Sequence, residues 1–168
     1  MPAIATSPMK TKAIRANELV EPASSSRKIM KFFAELIKEA RSTSRFLQIE
    51  KQYRDLGAAL ETYANLEDNW DSYGADKPSP SAIKATAEFM EKVRAEPFVP
   101  DRIIPSAEGG IAIYFTKGPK TAYVEYRNSG GVILAMYDDK NDPLIVELAK
   151  NDADEYRALR LIRNYVTS

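Results

Sequence analysis

Apolar residues recur with a helical period in two consecutive stretches near the start of the chain, and with a shorter, strand-like spacing further on. Over residues 27–41, Ile29, Phe32, Phe33, Leu36, Ile37 and Ala40 stand at i, i+3, i+4, i+7, i+8 and i+11, while Lys28, Lys31, Glu35 and Lys38 take other positions around the wheel. That spacing draws one apolar stripe along an amphipathic helix, with Ser26 placed to cap it. Ser42-Thr43-Ser44 then predicts a bend or break. Residues 45–66 resume in a different rhythm: Phe46, Ile49, Tyr53, Leu56, Leu60 and Tyr63, spaced 3, 4, 3, 4, 3. This is an a/d seam of under three heptads, and such a seam needs another helix to face. Either the helix at 27–41 folds back on it as a hairpin, or a second copy pairs with it in a homodimer through 45–66.

Residues 69–80 read as a junction. Gly74 can adopt the left-handed conformation of a tight turn. Ser79-Pro80 combines an N-cap with proline at the first helical position. It opens a helix to about Ala95 that buries Ile83, Phe89, Met90 and Val93 and stops at Pro97 and Pro100. Short strands are expected at 102–104, 111–116, 121–127 and 132–137, with a fifth at 144–147. They are punctuated by Glu108-Gly109-Gly110, Gly118-Pro119, Asn128-Ser129-Gly130-Gly131 and the polar run 138–143. Links this short demand antiparallel neighbours, hence a meander. A last helix covers about 152–166, with Asp152 and Glu155 as a capping box. Arg157, Arg160 and Arg163 follow at threes, a stripe that drifts around the axis and reads as a solvated face.

The meander can be phased. With Thr116 opposite Thr121 and Asn128 opposite Gly131, Ile111, Ile113, Phe115, Val124, Tyr126, Ile133, Ala135 and Tyr137 share a core face. The other face then carries Tyr114, Tyr123, Glu125, Arg127, Val132, Leu134 and Met136. Antiparallel sheets usually leave one face polar. A tyrosine-bearing, partly apolar face fits either a cover by one of the N-terminal helices or contact with a partner.

Composition narrows the chemistry. The 168 residues contain no cysteine and no histidine, which removes disulfides, thiolate nucleophiles, Cys-based metal sites and Ser-His-Asp or Cys-His catalysis. An enzyme would have to work with Asp, Glu, Lys, Tyr, Arg or a bound cofactor, and the carboxylate version would use Asp71 or Glu125 as acid or base. The reading expects no catalytic residue, no metal and no cofactor. The formal net charge is zero, but residues 1–46 carry nine Lys or Arg against four Asp or Glu, a net of +5, and residues 47–168 carry fifteen against twenty, a net of −5. Residues 1–25, with three prolines and a serine run, read as a disordered basic arm. Lys10, Lys12, Arg15, Arg27, Lys28 and Lys31 would be the contacts if that region met nucleic acid. No apolar run approaches the roughly 18 residues of a membrane span, and no signal-peptide core is visible. The expectation is a cytoplasmic protein without a membrane partner.

The densest segment is Asp68-Asn69-Trp70-Asp71-Ser72-Tyr73-Gly74-Ala75-Asp76. Its acid spacing is not that of an EF-hand. It reads as a structural joint: Trp70 and Tyr73 fill it, Asp71 caps backbone amides and Gly74 permits the turn. Asn69-Trp70-Asp71-Ser72-Tyr73-Gly74-Ala75, then a Ser/Pro-started helix, then Pro105-Ser106-Ala107-Glu108-Gly109-Gly110-Ile111, resembles a group of small bacterial proteins of uncharacterised function. In that group a W-D-G/S-x-G-A segment precedes a helix and a P-x-x-x-G-G segment precedes a meander. The resemblance spans about 60–148 and implies only that this stretch is a recurring module, with 1–45 an addition.

The expected fold is α+β: an antiparallel β-meander of four or five strands flanked by helices at 67–168, preceded by an N-terminal helical hairpin at 26–66. The expected role is a non-catalytic binding or adaptor module. It would recognise another protein through the seam (Phe46, Ile49, Tyr53, Leu56) and the sheet face (Tyr114, Tyr123, Glu125, Arg127, Leu134).

Overall fold

Ser42-Thr43-Ser44 contains neither glycine nor proline, and a helix can absorb it. In the computed structural model, which describes residues 24–167, the Thr43 hydroxyl donates to the Glu39 carbonyl one turn back. A single helix, α1, runs from Ser24 to Ala64. The expected hairpin is therefore corrected to one continuous helix, and Ser26 lies within it rather than capping it. Residues 1–23, with Lys10, Lys12 and Arg15, lie outside the described residues. The chain divides into a unit ending at Ser44 and a second at Arg45–Ser168.

In the second unit, helix α2 (Pro80–Val93) starts as expected, with Ser79 Oγ accepting from the Ala82 amide at 3.2 Å. Five strands follow: β1 (Arg102–Pro105), β2 (Gly110–Lys117), β3 (Lys120–Arg127), β4 (Val132–Tyr137) and β5 (Leu144–Leu148). Helix α3 (Asp152–Thr167) closes the order. The strands form one antiparallel sheet in sequence order. This is the α+β meander that the turn signals require.

Thr116 does face Thr121, but the β3–β4 register differs from expectation by one residue. The Arg127 amide donates to the Gly131 carbonyl, so the loop is Asn128-Ser129-Gly130, with Gly130 at φ 88°. A three-residue loop ending in a left-handed glycine is a favoured hairpin connection. Asn128 leaves the ladder because its side chain is engaged elsewhere: Oδ1 accepts from the Ser79 amide at 2.7 Å and Nδ2 donates to the Lys77 carbonyl at 2.8 Å. One residue of slip turns every side chain of β4 over. Val132, Leu134 and Met136 therefore lie on the core face with Ala122, Val124 and Tyr126, while Ile133, Ala135 and Tyr137 belong to the other. Leu134 is fully buried and leaves the set of partner-binding candidates.

All the helical packing of this unit falls on that first face. Ala85, Phe89 and Val93 of α2 and Ala158, Leu159 and Ile162 of α3 enter one cluster with Ile111, Ile113, Phe115, Val124 and Leu134. Tyr53, Leu56 and Leu60 join the same cluster. Tyr53, Leu56 and Leu60 of the heptad seam thus pack on the chain's own α2 and β1 side and not on a folded-back hairpin partner, and Tyr53 and Leu56 are core residues. The Tyr63 hydroxyl donates to the Ile103 carbonyl at 3.2 Å, and Gln52 Nε2 donates to the Pro100 carbonyl at 2.7 Å, tying α1 to the start of the sheet.

Two charged groups stitch α2 to α3. Lys92 contacts both Asp152 and Glu155, and Arg163 contacts Glu96. Buried Glu155 also accepts from the Tyr126 hydroxyl at 2.9 Å. The two carboxylates hold the Lys92 ammonium proton above the ordinary lysine range. With Asp152 and Glu155 so engaged, the N-cap of α3 passes to Asn151, whose Oδ1 accepts from the Asp154 amide at 2.9 Å.

Candidate functional site

The second face of the sheet carries no α2 or α3 residue of the core cluster, and it is not a random polar surface. Register aligns one row across all five strands: Arg102, Tyr114, Tyr123, Ala135, Ile145. Beside it runs Ile104, Ala112, Glu125, Ile133, Glu147. In the first row the Tyr114 and Tyr123 rings stack, with centroids 5.2 Å apart and planes inclined 29°. The Arg102 guanidinium lies 4.6 Å over the Tyr114 ring. This arrangement of quadrupoles and cation is attractive in both contacts. Partial burial raises the Tyr114 phenol above its ordinary range, with Tyr137 adding to it. Burial does the same for Tyr123, with Glu125 adding to it.

Small residues make the face concave. Ala112 sits between Ile104 and Glu125 in its row, and a dip of about 360 Å³ opens there, lined in part by Pro105, Glu108, Tyr114, Tyr123, Glu125 and Arg127. Glu125 is buried at its base. Arg127, two residues along the same strand, bridges Glu125 (Nε to Oε1, 3.8 Å) and Glu108 (3.2 Å). At 3.8 Å the first contact is a charge pairing without a hydrogen bond. Glu125 Oε1 and Arg127 Nε are both closed to solvent and unbonded. A buried polar atom left unpaired costs about 1–3 kcal/mol, so the face holds an unused donor and an unused acceptor side by side.

The junction segment lies beside the turn that rims this dip. Asp71 Oδ1 accepts from the amides of Tyr73 at 2.8 Å and Ala75 at 3.1 Å, which holds its carboxyl pKa below the ordinary aspartate value, the Tyr73 amide contributing most. Asn69 Oδ1 accepts from the Gly74 amide, and Asp68 Oδ1 from that of Lys77. Gly74 has φ 95°, and Asn69 and Ser72 also take positive φ. Asp71 and Gly74 thus do what their sequence suggests. Trp70 is half-buried, its Nε1 donating to the Asp76 carbonyl at 3.3 Å. Tyr73 is a correction: 93% exposed, it fills nothing. The short span between the two capping amides leaves its side chain pointing outward. Asp71 is also removed as a candidate acid or base, because its oxygen is committed to the backbone. Among the described residues no three Asp or Glu side chains converge as a metal site requires.

The two segments singled out by their motifs meet through Asn128. Its carboxamide holds residues 77–79, and its amide donates to the Gly109 carbonyl at 3.1 Å. A Cβ on Gly109 would stand 2.6 Å from Asn128 Nδ2, and one on Gly110 would collide with the Tyr126 carbonyl. Both positions have positive φ. The paired glycines therefore let the 105–110 turn close against β3, which sets Glu108 at the rim of the dip.

The remaining sequence candidates scatter. Phe46 is exposed and Ile49 is half-buried. With Tyr53, Arg94, Pro97 and Val99 they line a separate groove of about 610 Å³. There Arg94 lies 4.7 Å over the Tyr53 ring. The Tyr53 hydroxyl is unbonded, and burial pushes its ionisation up to about 12. Arg27, Lys28 and Lys31 lie on the exposed helix of the first unit. Sequence reading missed Arg102, Glu108 and Ala135 as members of the face. Arg102 and Glu108 were legible once β1 was paired with β2, whereas Ala135 depended on the β4 register. Comparison with protein-family models, curated proteins and solved structures finds no match.

Proposed function

We propose that the chain is a non-catalytic binding module whose second sheet face takes up a polypeptide segment of a partner protein. The observation that carries the reading is the Arg102–Tyr114–Tyr123 stack beside a dip floored by Ala112 and Glu125. Tyrosine and arginine over a partly apolar floor are the side chains that dominate protein interfaces. A peptide group supplies what the unbonded pair lacks: its C=O accepts from Arg127 Nε and its N–H donates to Glu125 Oε1. Both atoms are shielded, so contact requires Arg127 to swing outward, and its side chain, 34% exposed, has room to do so. Charge argues against nucleic acid on this face, because Arg102 and Arg127 are balanced by Glu108 and Glu125 and residues 47–168 carry a net of −5.

A photo-reactive phenylalanine analogue in place of Tyr137, on the same face at the end of β4, tests the reading in the native cell. The expected result is a discrete protein adduct that is absent when the analogue replaces exposed Lys84 of α2 and lost when Tyr114→Ala or Arg127→Ala is added. Adducts that are the same from both positions, or unchanged by those substitutions, would overturn it.

A further inference from the structure

We infer that the helical segment 27–41 is a docking element for an anionic lipid surface, independent of the sheet face. Ile29, Met30, Phe32, Phe33, Leu36 and Ile37 are all exposed, from 44% at Leu36 to 70% at Met30. At about 100° per residue they fall with Ala40 on one continuous arc. Monomeric proteins rarely leave an apolar patch of several hundred Å² uncovered. The rest of the wheel is basic: Arg27, Lys28, Lys31, Lys38 and Arg41 against Glu35 and Glu39, a net of five minus two, or +3. Arg41 falls just outside one edge of the arc and Lys28 lies near the other, beyond Glu39, and from there long basic side chains reach headgroups while the arc enters the acyl boundary.

Three occupants compete for such a face, and the pattern separates them. A second copy would bury the arc but bring two +3 segments together, and the arc is wider than a two-stranded seam uses. Nucleic acid would meet the charge and leave two phenylalanines and three large aliphatic side chains in water. An anionic bilayer satisfies both at once. No helix among the described residues is long and apolar enough to cross a membrane, and lying on one requires neither property. The expectation of no membrane partner rested on spanning length and on the zero charge of the whole chain, and neither describes this segment.

The test is flotation of the full chain with vesicles of phosphatidylcholine alone and of phosphatidylcholine mixed with phosphatidylglycerol. Co-flotation with the anionic vesicles is expected, weakened about fivefold for each of Lys28→Ala and Arg41→Ala and abolished by Phe33→Ser with Leu36→Ser. Both apolar positions are exposed, so unchanged near-ultraviolet circular dichroism verifies that the rest of the fold survives. Absence of flotation overturns the inference. So does a dimer by light scattering that the Phe33/Leu36 double variant dissociates, which assigns the face to a second copy. Binding of duplex DNA that survives the double variant and displaces the vesicles assigns the charges to nucleic acid, and also overturns it.

Discussion

The two faces of the sheet use the same alternation for opposite ends. On one, β-branched and aromatic residues interlock beneath α2 and α3, and Ile111, Val124 and Leu134 lose all contact with water. On the other, Ala135 stands in a row with two tyrosines and Ala112 in a row with Glu125 and two isoleucines, so the surface steps up and down instead of filling. The first face is where stability resides. The second face lies outside that core cluster and presents chemistry. The difference lies in residue size within each row as much as in polarity.

The strongest way to break this comparison is at Leu134. Leu134→Ala should cost about 2–5 kcal/mol in urea unfolding. A cost near zero would restore the alternative register. Gly110→Ala should follow at about 3 kcal/mol or less, since φ 134° is strained for alanine and the new Cβ meets the Tyr126 carbonyl. Thermal unfolding of the variant reads it directly.

High pH probes the core most strongly. Burial, then Glu155, raises the Tyr126 phenol far above its ordinary value, and burial raises Tyr53 from 10.0 to about 12. The folded state holds these protons more tightly than the unfolded chain does. Their contribution is therefore fully present below pH 10 and lost as pH climbs toward 12. Phenolate absorbance should lag behind that of the denatured chain in this window, then rise together with loss of helical ellipticity.

The second face responds more gently. A double-mutant cycle on Tyr114→Ala and Tyr123→Ala should return a coupling of about 1 kcal/mol for the stack. Ile145→Ala and Tyr73→Ala, at the far end of the row and on the junction, should stay within about 0.5 kcal/mol.

Much of this was legible in residue order. Ser79-Pro80 started α2, and the glycine-rich turns separated the strands of an antiparallel meander. Tyr114, Tyr123, Glu125 and Arg127 came onto one face because β2 and β3 alternate clearly and share a short hairpin. β4 was misphased because Val132-Ile133-Leu134-Ala135-Met136 is apolar in both phases. Only the loop decides, and that loop is set by an Asn128 side chain bonded to residues about fifty positions away, which no local pattern reveals. The seam at 46–63 was read correctly as apolar but given the wrong neighbour, since a heptad spacing states that a helix must pack and not against what. The helix break failed for a simpler reason: a hydroxyl that bonds its own turn does not stop a helix.

Asn128 also sets an order of events during synthesis. The residues it secures, 77–79, leave the ribosome long before it does, and about fifty further residues must be made before their carboxamide partner appears. The strands, each beside its sequence neighbour, can pair as they emerge, whereas the junction must wait. In the interval the nascent chain holds a helix start without its clamp. A chaperone or protease acting on this protein would find its opening there.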